Sequence, residues 1–199
     1  MKVLGLTGGI GMGKSNAASV LRRIGVPVFD ADATVHRLQG RGGAAVKPIG
    51  AAFPGTINQG VVDRVALRAA VLGDAAALKR LERIVHPLVR QAERRFLART
   101  RRAGRRLVAL DVPLLLETSG ADRVDHIVVV SAPPAVQRAR VRRRGTMSAA
   151  QIAAVIGRQM PDAEKRRRAD TVVRTGLSRG HTQRQLRGLV RRLIGQVGA

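Results

Sequence analysis

Apolar residues along this chain fall into two kinds of pattern. Five short runs are apolar at almost every position: KVLGLT (2–7), VPVF (26–29), RLVALDV (106–112), HIVVV (126–130) and TVV (171–173). Unbroken runs of this length suit strands buried on both faces of a parallel sheet, because a half-exposed strand alternates instead. Stretches of helical periodicity separate them. Strands alternating with helices predict a doubly wound α/β domain.

Two segments break that rhythm. Residues 33 to about 104 are mostly helical in pattern, with VDRVALRAAVL and AAALKRLERIVHPLVRQAERRFLART as the clearest pieces. The segment is too long for one crossover helix, so it predicts a helical subdomain inserted between the second and third strands. Residues 135–168 are Arg-rich and helical, interrupted by the turn-like RGTMS (144–148), and read as a lid after the fourth strand. Repeats and low-complexity linkers are absent from the sequence. The expected layout is one domain over 1–199, with a core of 1–32, 105–134 and 169–199, an insertion of 33–104 and a lid of 135–168.

Composition narrows the classes. No apolar run reaches the roughly 18 residues a membrane-spanning helix needs. The opening MKVLGLTGG lacks the long apolar region and cleavage site of a leader. The expectation is a cytoplasmic protein with no membrane partner. With no cysteine, disulfides and thiolate metal sites drop out. The 37 Lys and Arg against 13 Asp and Glu give a net charge of +24, which invites a nucleic-acid reading. Against it stand the absence of Trp and Tyr and the presence of only three Phe, which leave little for bases to stack on. A basic enzyme acting on small polyanions accounts for the sign equally well.

The stretch GGIGMGKS (8–15) carries the sharpest chemistry. Gly8, Gly13, Lys14 and Ser15 meet the pattern GxxxxGK[ST], after an apolar strand and before the helical NAASVLRRI. Glycines let backbone amides turn onto a β-phosphate, and a helix N-terminus adds positive potential. Lys14 reaches between the β- and γ-phosphates, and the Ser15 hydroxyl can ligate Mg²⁺. This is the signature of an NTP phosphate site.

Few carboxylates are available to work beside it. Asp30 and Asp32 follow the second strand in VFDAD, at the end that faces the binding crevice of an open α/β sheet. Asp32 is the candidate to accept a proton from an attacking hydroxyl or to orient it, while one of the pair can instead cap the next helix. Asp111 ends the strand VALD, a position that can hold Mg²⁺ directly or through water, or bond neighbouring amides. Glu117 reads as a salt-bridge residue. In QRARVRRR (137–144), Arg140 and Arg144 are four apart, on one helical face. Guanidinium groups on a lid would neutralise charge developing during transfer. KRRR (165–168) reads as a solvated basic face. His86 precedes Pro87 inside a helical pattern, where proline should bend or end the helix. His36, His126 and His181 show no metal-ligand spacing.

Taken together, GLTGGIGMGKS (5–15), VPVFDAD (26–32), IVHPLVR (84–90), DVPLLLE (111–117), Arg140 with Arg144, and RQMPDAEKRRRAD (158–170) resemble the dephospho-CoA kinase family over nearly the whole chain. The glycine loop is shared with many NTPases; the combination with DAD, the His-Pro helix and DVPLLLE is far more specific. The resemblance implies a three-layer P-loop NTPase fold, with a central mainly parallel sheet, an inserted helical subdomain that holds the acceptor, and a helical lid. It implies transfer of the ATP γ-phosphoryl, with Mg²⁺, to the ribose 3′-hydroxyl of dephospho-CoA, giving CoA and ADP. Asp32, Lys14 and Arg140 would be catalytic. Gly8, the loop Gly11, Met12, Gly13, Lys14, Ser15 and Asn16, and Arg144 would bind nucleotide; Arg64 and His86 would join Asp32 at the acceptor; Ser15 and Asp111 would hold Mg²⁺.

Four positions depart from the family pattern. Asn16 stands where Thr is common, Arg174-Thr175 replaces a frequent Asp-Asn pair, and Val155 occupies a place where many relatives carry Arg, so that one lid contact is either missing or supplied by Arg158. Two other functions fit part of the sequence. A nucleoside-monophosphate-type kinase would share the loop, lid and insertion, and an ATP-switched nucleic-acid-binding protein would use the charge. Oligomeric state is not legible from the sequence.

Overall fold

A computed structural model describes residues 1–118, 120–145 and 148–196. Thr146 and Met147 of the expected 144–148 turn, and the last three residues of the expected core, lie outside the described residues. In chain order the elements are β1 (Lys2–Thr7), α1 (Lys14–Arg23), β2 (Val28–Asp30), α2 (Ala31–Gln39), α3 (Val46–Ala52), β3 (Ile57–Asn58), β4 (Val61–Val62), α4 (Arg64–Val71), α5 (Ala75–Arg102), β5 (Leu107–Asp111), β6 (His126–Ser131), α6 (Pro134–Arg142), α7 (Ala149–Arg158), α8 (Asp162–Arg167), β7 (Thr171–Arg174) and α9 (Arg179–Gly195).

The five apolar runs are the five strands of one sheet, in the order β2-β5-β1-β6-β7. Strand β1 runs parallel to both neighbours, with Leu4 opposite Ala109 on one side and His126 on the other, and β7 runs parallel to β6. Every residue of β5 is buried, as is every residue of β1 after Lys2, as the unbroken apolar pattern requires. Leu4, Leu6, Val128 and Val130 of the sheet pack with Ala17, Leu21, Leu186 and Leu189 of α1 and α9. Because β1 is the central strand, the loop that follows it opens in the middle of the sheet's C-terminal edge.

The chain divides into two compact units, residues 1–29 with 100–199, and residues 30–99. The second unit has its own apolar core, in which Ile49, Phe53, Val62, Leu67 and Val85 are buried together. Its helix starts follow from sequence. Asp63 accepts from the Val65 and Ala66 amides at the start of α4, and Asp74 does the same for Ala76 and Ala77 at α5. It also contains the hairpin β3–β4, which apolar periodicity did not predict, because two-residue strands are shorter than any period. Helix α5 continues through Pro87 for 28 residues. Proline removes one backbone donor there, but the apolar stripe on either side keeps the helix going, so of the expected bend or end, the end does not occur.

Candidate active site

The phosphate loop is built by steric necessity. Gly11 and Gly13 adopt φ of 75° and 90°, a region that side-chain-bearing residues rarely enter. A Cβ on Gly11 would stand 2.8 Å from the Gln137 carbonyl, and one on Gly13 would stand 2.9 Å from Thr175 Oγ1. A Cβ on Gly8 would collide with the Val130 side chain. The loop therefore passes too close to β6, α6 and Thr175 for any larger residue. It delivers the chain to α1, whose N-terminus no side chain caps. The first amides of a helix have no intrahelical acceptor, so they are free to meet an anion.

A cavity of about 400 Å³ opens at this helix end. Ser15, Asn16, Arg140, Arg143, Arg144 and Arg179 are among the residues that line it, and no acidic side chain is. Four guanidinium groups at a helix N-terminus favour a polyanion. Ser15 is exposed to this space, and Met12 is buried beneath the loop, where its sulfur accepts from the Ala132 amide. Helix α6 ends at Arg142, so Arg144 lies beyond it and shares no helical face with Arg140, contrary to the spacing argument. The turn residue Gly145, at φ 68°, closes the segment there, and Arg144 still reaches the same cavity.

Lys14 and Asp111 form an ion pair, Nζ to Oδ1 at 2.7 Å, with Asp111 almost wholly buried. The residue read for phosphate and the residue read for Mg²⁺ thus hold each other. Among the described residues no three His, Asp or Glu side chains come together as a metal cluster. Ser15 and Asp111 offer the hard oxygen donors that Mg²⁺ takes, with nucleotide oxygens and water completing its shell, so the donor chemistry fits.

Arg140 is fixed by Thr175, one of the departures from the family pattern. Its Nη2 donates to the Thr175 carbonyl at 2.5 Å and its Nη1 to Thr175 Oγ1 at 3.0 Å. The same hydroxyl donates to the Met12 carbonyl at 2.6 Å. Thr175 is buried and ties the arginine to the loop, a role that neither its type nor its position announces in the sequence. Val155 is half-buried in α7 and Arg158, the residue looked to for the missing contact, is exposed at its end. Gln159, the next residue, is the one that touches the loop, its Oε1 accepting from the Ile10 amide at 2.9 Å.

In the second unit Asp30 takes the capping role, its Oδ1 accepting from the Ala33 amide at 2.9 Å. Asp32 is therefore not needed as a cap; it sits exposed in the first turn of α2. Arg64 opens α4 with its guanidinium 3.3 Å from His36 Nδ1. His86 is exposed on α5, in a groove of about 630 Å³ lined also by Lys79, Arg83, Arg90 and Arg94. One further reading changes. Lys165, the first residue of KRRR, is 1% exposed and pairs with Glu117 at 2.6 Å, because a carboxylate from another segment meets it inside. The His126 ring is placed by a side chain of the neighbouring strand, its Nε2 2.9 Å from Thr171 Oγ1.

No helix among the described residues is long and apolar enough to cross a membrane. The dephospho-CoA kinase family model matches residues 2–178. A protein of Paramagnetospirillum magneticum named dephospho-CoA kinase is 64% identical over 83% of this chain and 78% of its own. One of the same name from Mesorhizobium japonicum is 52% identical over the whole of both chains. A crystal structure from Thermus thermophilus is 35% identical, with a TM-score of 0.85 over 96% of this chain and 97% of that one. By sequence along nearly its full length, this chain belongs to the dephospho-CoA kinase family.

Proposed function

We propose that this protein phosphorylates the ribose 3′-hydroxyl of dephospho-CoA with ATP, releasing CoA and ADP. One observation carries the nucleotide half of that reading: the uncapped N-terminus of α1 opens into a cavity lined by four arginines and the exposed Ser15. The acceptor half rests on the family. Cytoplasmic location is part of the reading and follows from ATP as co-substrate.

The chemistry asks mainly for positioning and charge stabilisation. The amides at the start of α1 hold the β-phosphate. Lys14 exchanges the Asp111 carboxylate for phosphate oxygens, one anionic partner for another. Ser15 and Asp111 would hold Mg²⁺, which when bound would offset the negative charge of the phosphates. Arg140, already oriented by Thr175, supplies a fixed guanidinium to the transferred phosphoryl, and Arg144 adds to the binding of the nucleotide. Asp32 orients the acceptor hydroxyl and takes its proton. Residues 33–104, with Arg64 and His86, hold the acceptor, and residues 135–168 act as the lid.

The test is ADP release from Mg-ATP with and without dephospho-CoA, with CoA identified as the product. Release that ignores dephospho-CoA but responds to a nucleoside monophosphate would replace the acceptor. In the same assay Asp32→Ala is expected to lower turnover by roughly 10²- to 10⁴-fold, the usual worth of a positioned acid or base. ATP binding should stay near that of the parent. Near-normal turnover with a large loss of ATP affinity would remove Asp32 from that role.

A further inference from the structure

The second residue of the stretch RQMPDAEKRRRAD reaches the phosphate loop. The Ile10 amide donates to Gln159 Oε1 at 2.9 Å. The carbonyl of the same residue accepts from Gln137 Nε2, also at 2.9 Å. A backbone amide can only donate and a carbonyl can only accept, so the loop itself fixes which end each side-chain amide presents. Gln137 is buried on α6, three residues before Arg140, and Gln159 directly follows α7. Two segments of the expected lid, α6 and the residue that follows α7, therefore converge on one residue of the loop. The fit is close: a Cβ on Gly9 would stand 3.2 Å from Gln159 Oε1 and 3.6 Å from Gln137 Nε2.

Gln159 does not hang from a free end. Behind it the Met160 amide donates to Glu117 Oε1 at 3.3 Å, and the buried Lys165 ammonium donates to the same oxygen. Asp162 Oδ2 accepts from Ser131 Oγ at 2.7 Å, at the end of β6. Meanwhile the Met12 amide donates to the Gly9 carbonyl at 3.1 Å. With the Ile10 and Met12 amides both engaged internally, the amides at the start of α1 are left for the nucleotide.

We infer that Gln137 and Gln159 are positioning residues for phosphoryl transfer, a pair of side-chain amides that grips both polar groups of Ile10 and sets the shape of the loop that binds ATP. This rests on the kinase reading. Gln159 acts as an acceptor and Gln137 as a donor, and that difference makes the pair testable.

Gln159→Met and Gln137→Met each remove one hydrogen bond with little change of volume and leave a backbone group of the loop without its partner. The KM for ATP should rise roughly ten- to hundredfold in each, from the cost of a partly buried group left unsatisfied and a loop no longer held in shape. The KM for dephospho-CoA should stay within about twofold, and thermal unfolding identifies any variant that has failed to fold. Charged replacements then separate the clamp from simple attraction of phosphate. Gln159→Glu keeps an acceptor and Gln137→Lys keeps a donor, so Glu should outperform Lys at 159 and Lys should outperform Glu at 137. Lysine better at both positions, or parental KM for ATP in both methionine variants, overturns the inference. Hydrogen exchange at the Ile10 amide, without ATP, should quicken in Gln159→Met; an unchanged rate overturns it whatever the turnover shows. A parent protein with no acceptor-dependent turnover would instead strike the kinase reading, and the exchange measurement would still judge the clamp.

Discussion

His126 shows how one side chain can carry a pH dependence unrelated to catalysis. It begins β6, and burial lowers its pKa from the usual 6.5; nearby Asp170 opposes that shift, while Lys2 and Arg192 add to it. As pH falls through 6.5, the unfolded chain takes up a proton that the folded protein still refuses, so stability contributed by this residue is lost on acidification. The thermal midpoint of the parent should therefore drop more steeply between about pH 7.5 and 5.5 than that of His126→Gln; parallel profiles would show that burial of this ring is not coupled to folding. Nothing in HIVVV announces this, because the partial burial and the neighbouring charges of Asp170, Lys2 and Arg192 come from segments distant in sequence. At this scale the sequence is informative where a conformation is compulsory, as at Gly11 and Gly13, where only glycine fits. Asp30 and Asp32 could not be told apart by type; the helix geometry assigns one of them the cap. Thr175, Gln137 and Gln159 stayed hidden because a hydroxyl or amide in a polar stretch looks the same whether it faces water or the loop.

Elements were more legible than residues. All five sheet strands follow from apolar runs, since burial on both faces leaves one composition only. What periodicity cannot show is which distant segment covers a charge. Lys165 on α8 sits in a run of four basic residues and is buried nonetheless, because Glu117, in the turn after β5, meets it at 2.6 Å. Lys165→Met removes one partner and strands the other, which should cost roughly 2–4 kcal/mol, less than breaking a fully buried pair, since the Glu117 side chain is 20% exposed and can reach water. Glu117→Gln combined with Lys165→Met should cost less than the two single changes added, by about 1 kcal/mol or more. Urea unfolding of the four proteins measures this directly. Additive losses would mean the pair is not coupled and that α8 is held to the sheet by its other contacts, such as Ser131 to Asp162.

For the whole molecule, the +24 net charge is plain in the sequence, but composition sums charges without placing them. The fold spends part of that charge locally. Four arginines gather at the cavity beside the start of α1, and Lys79, Arg83, Arg90 and Arg94 share the groove of His86. With so few carboxylates, most of the rest repel one another across the surface. Salt should thus stabilise the folded protein: raising NaCl from about 20 to 300 mM shortens the screening length severalfold and should lift the thermal midpoint. ATP should lift it further by mass action at fixed salt, because its binding site exists only in the folded chain. The same surface will attract nucleic acid at low salt. If that attraction is only the summed charge, binding to single-stranded or duplex DNA should fade steeply by about 0.2 M salt, with no sequence preference. Acceptor-dependent ADP release should then be the same with and without DNA at that salt. Binding that persists there and alters ATP turnover would give the surplus charge a partner of its own and reopen the nucleic-acid reading; a midpoint that falls with salt would show that the basic groups are held in favourable pairs rather than in mutual repulsion.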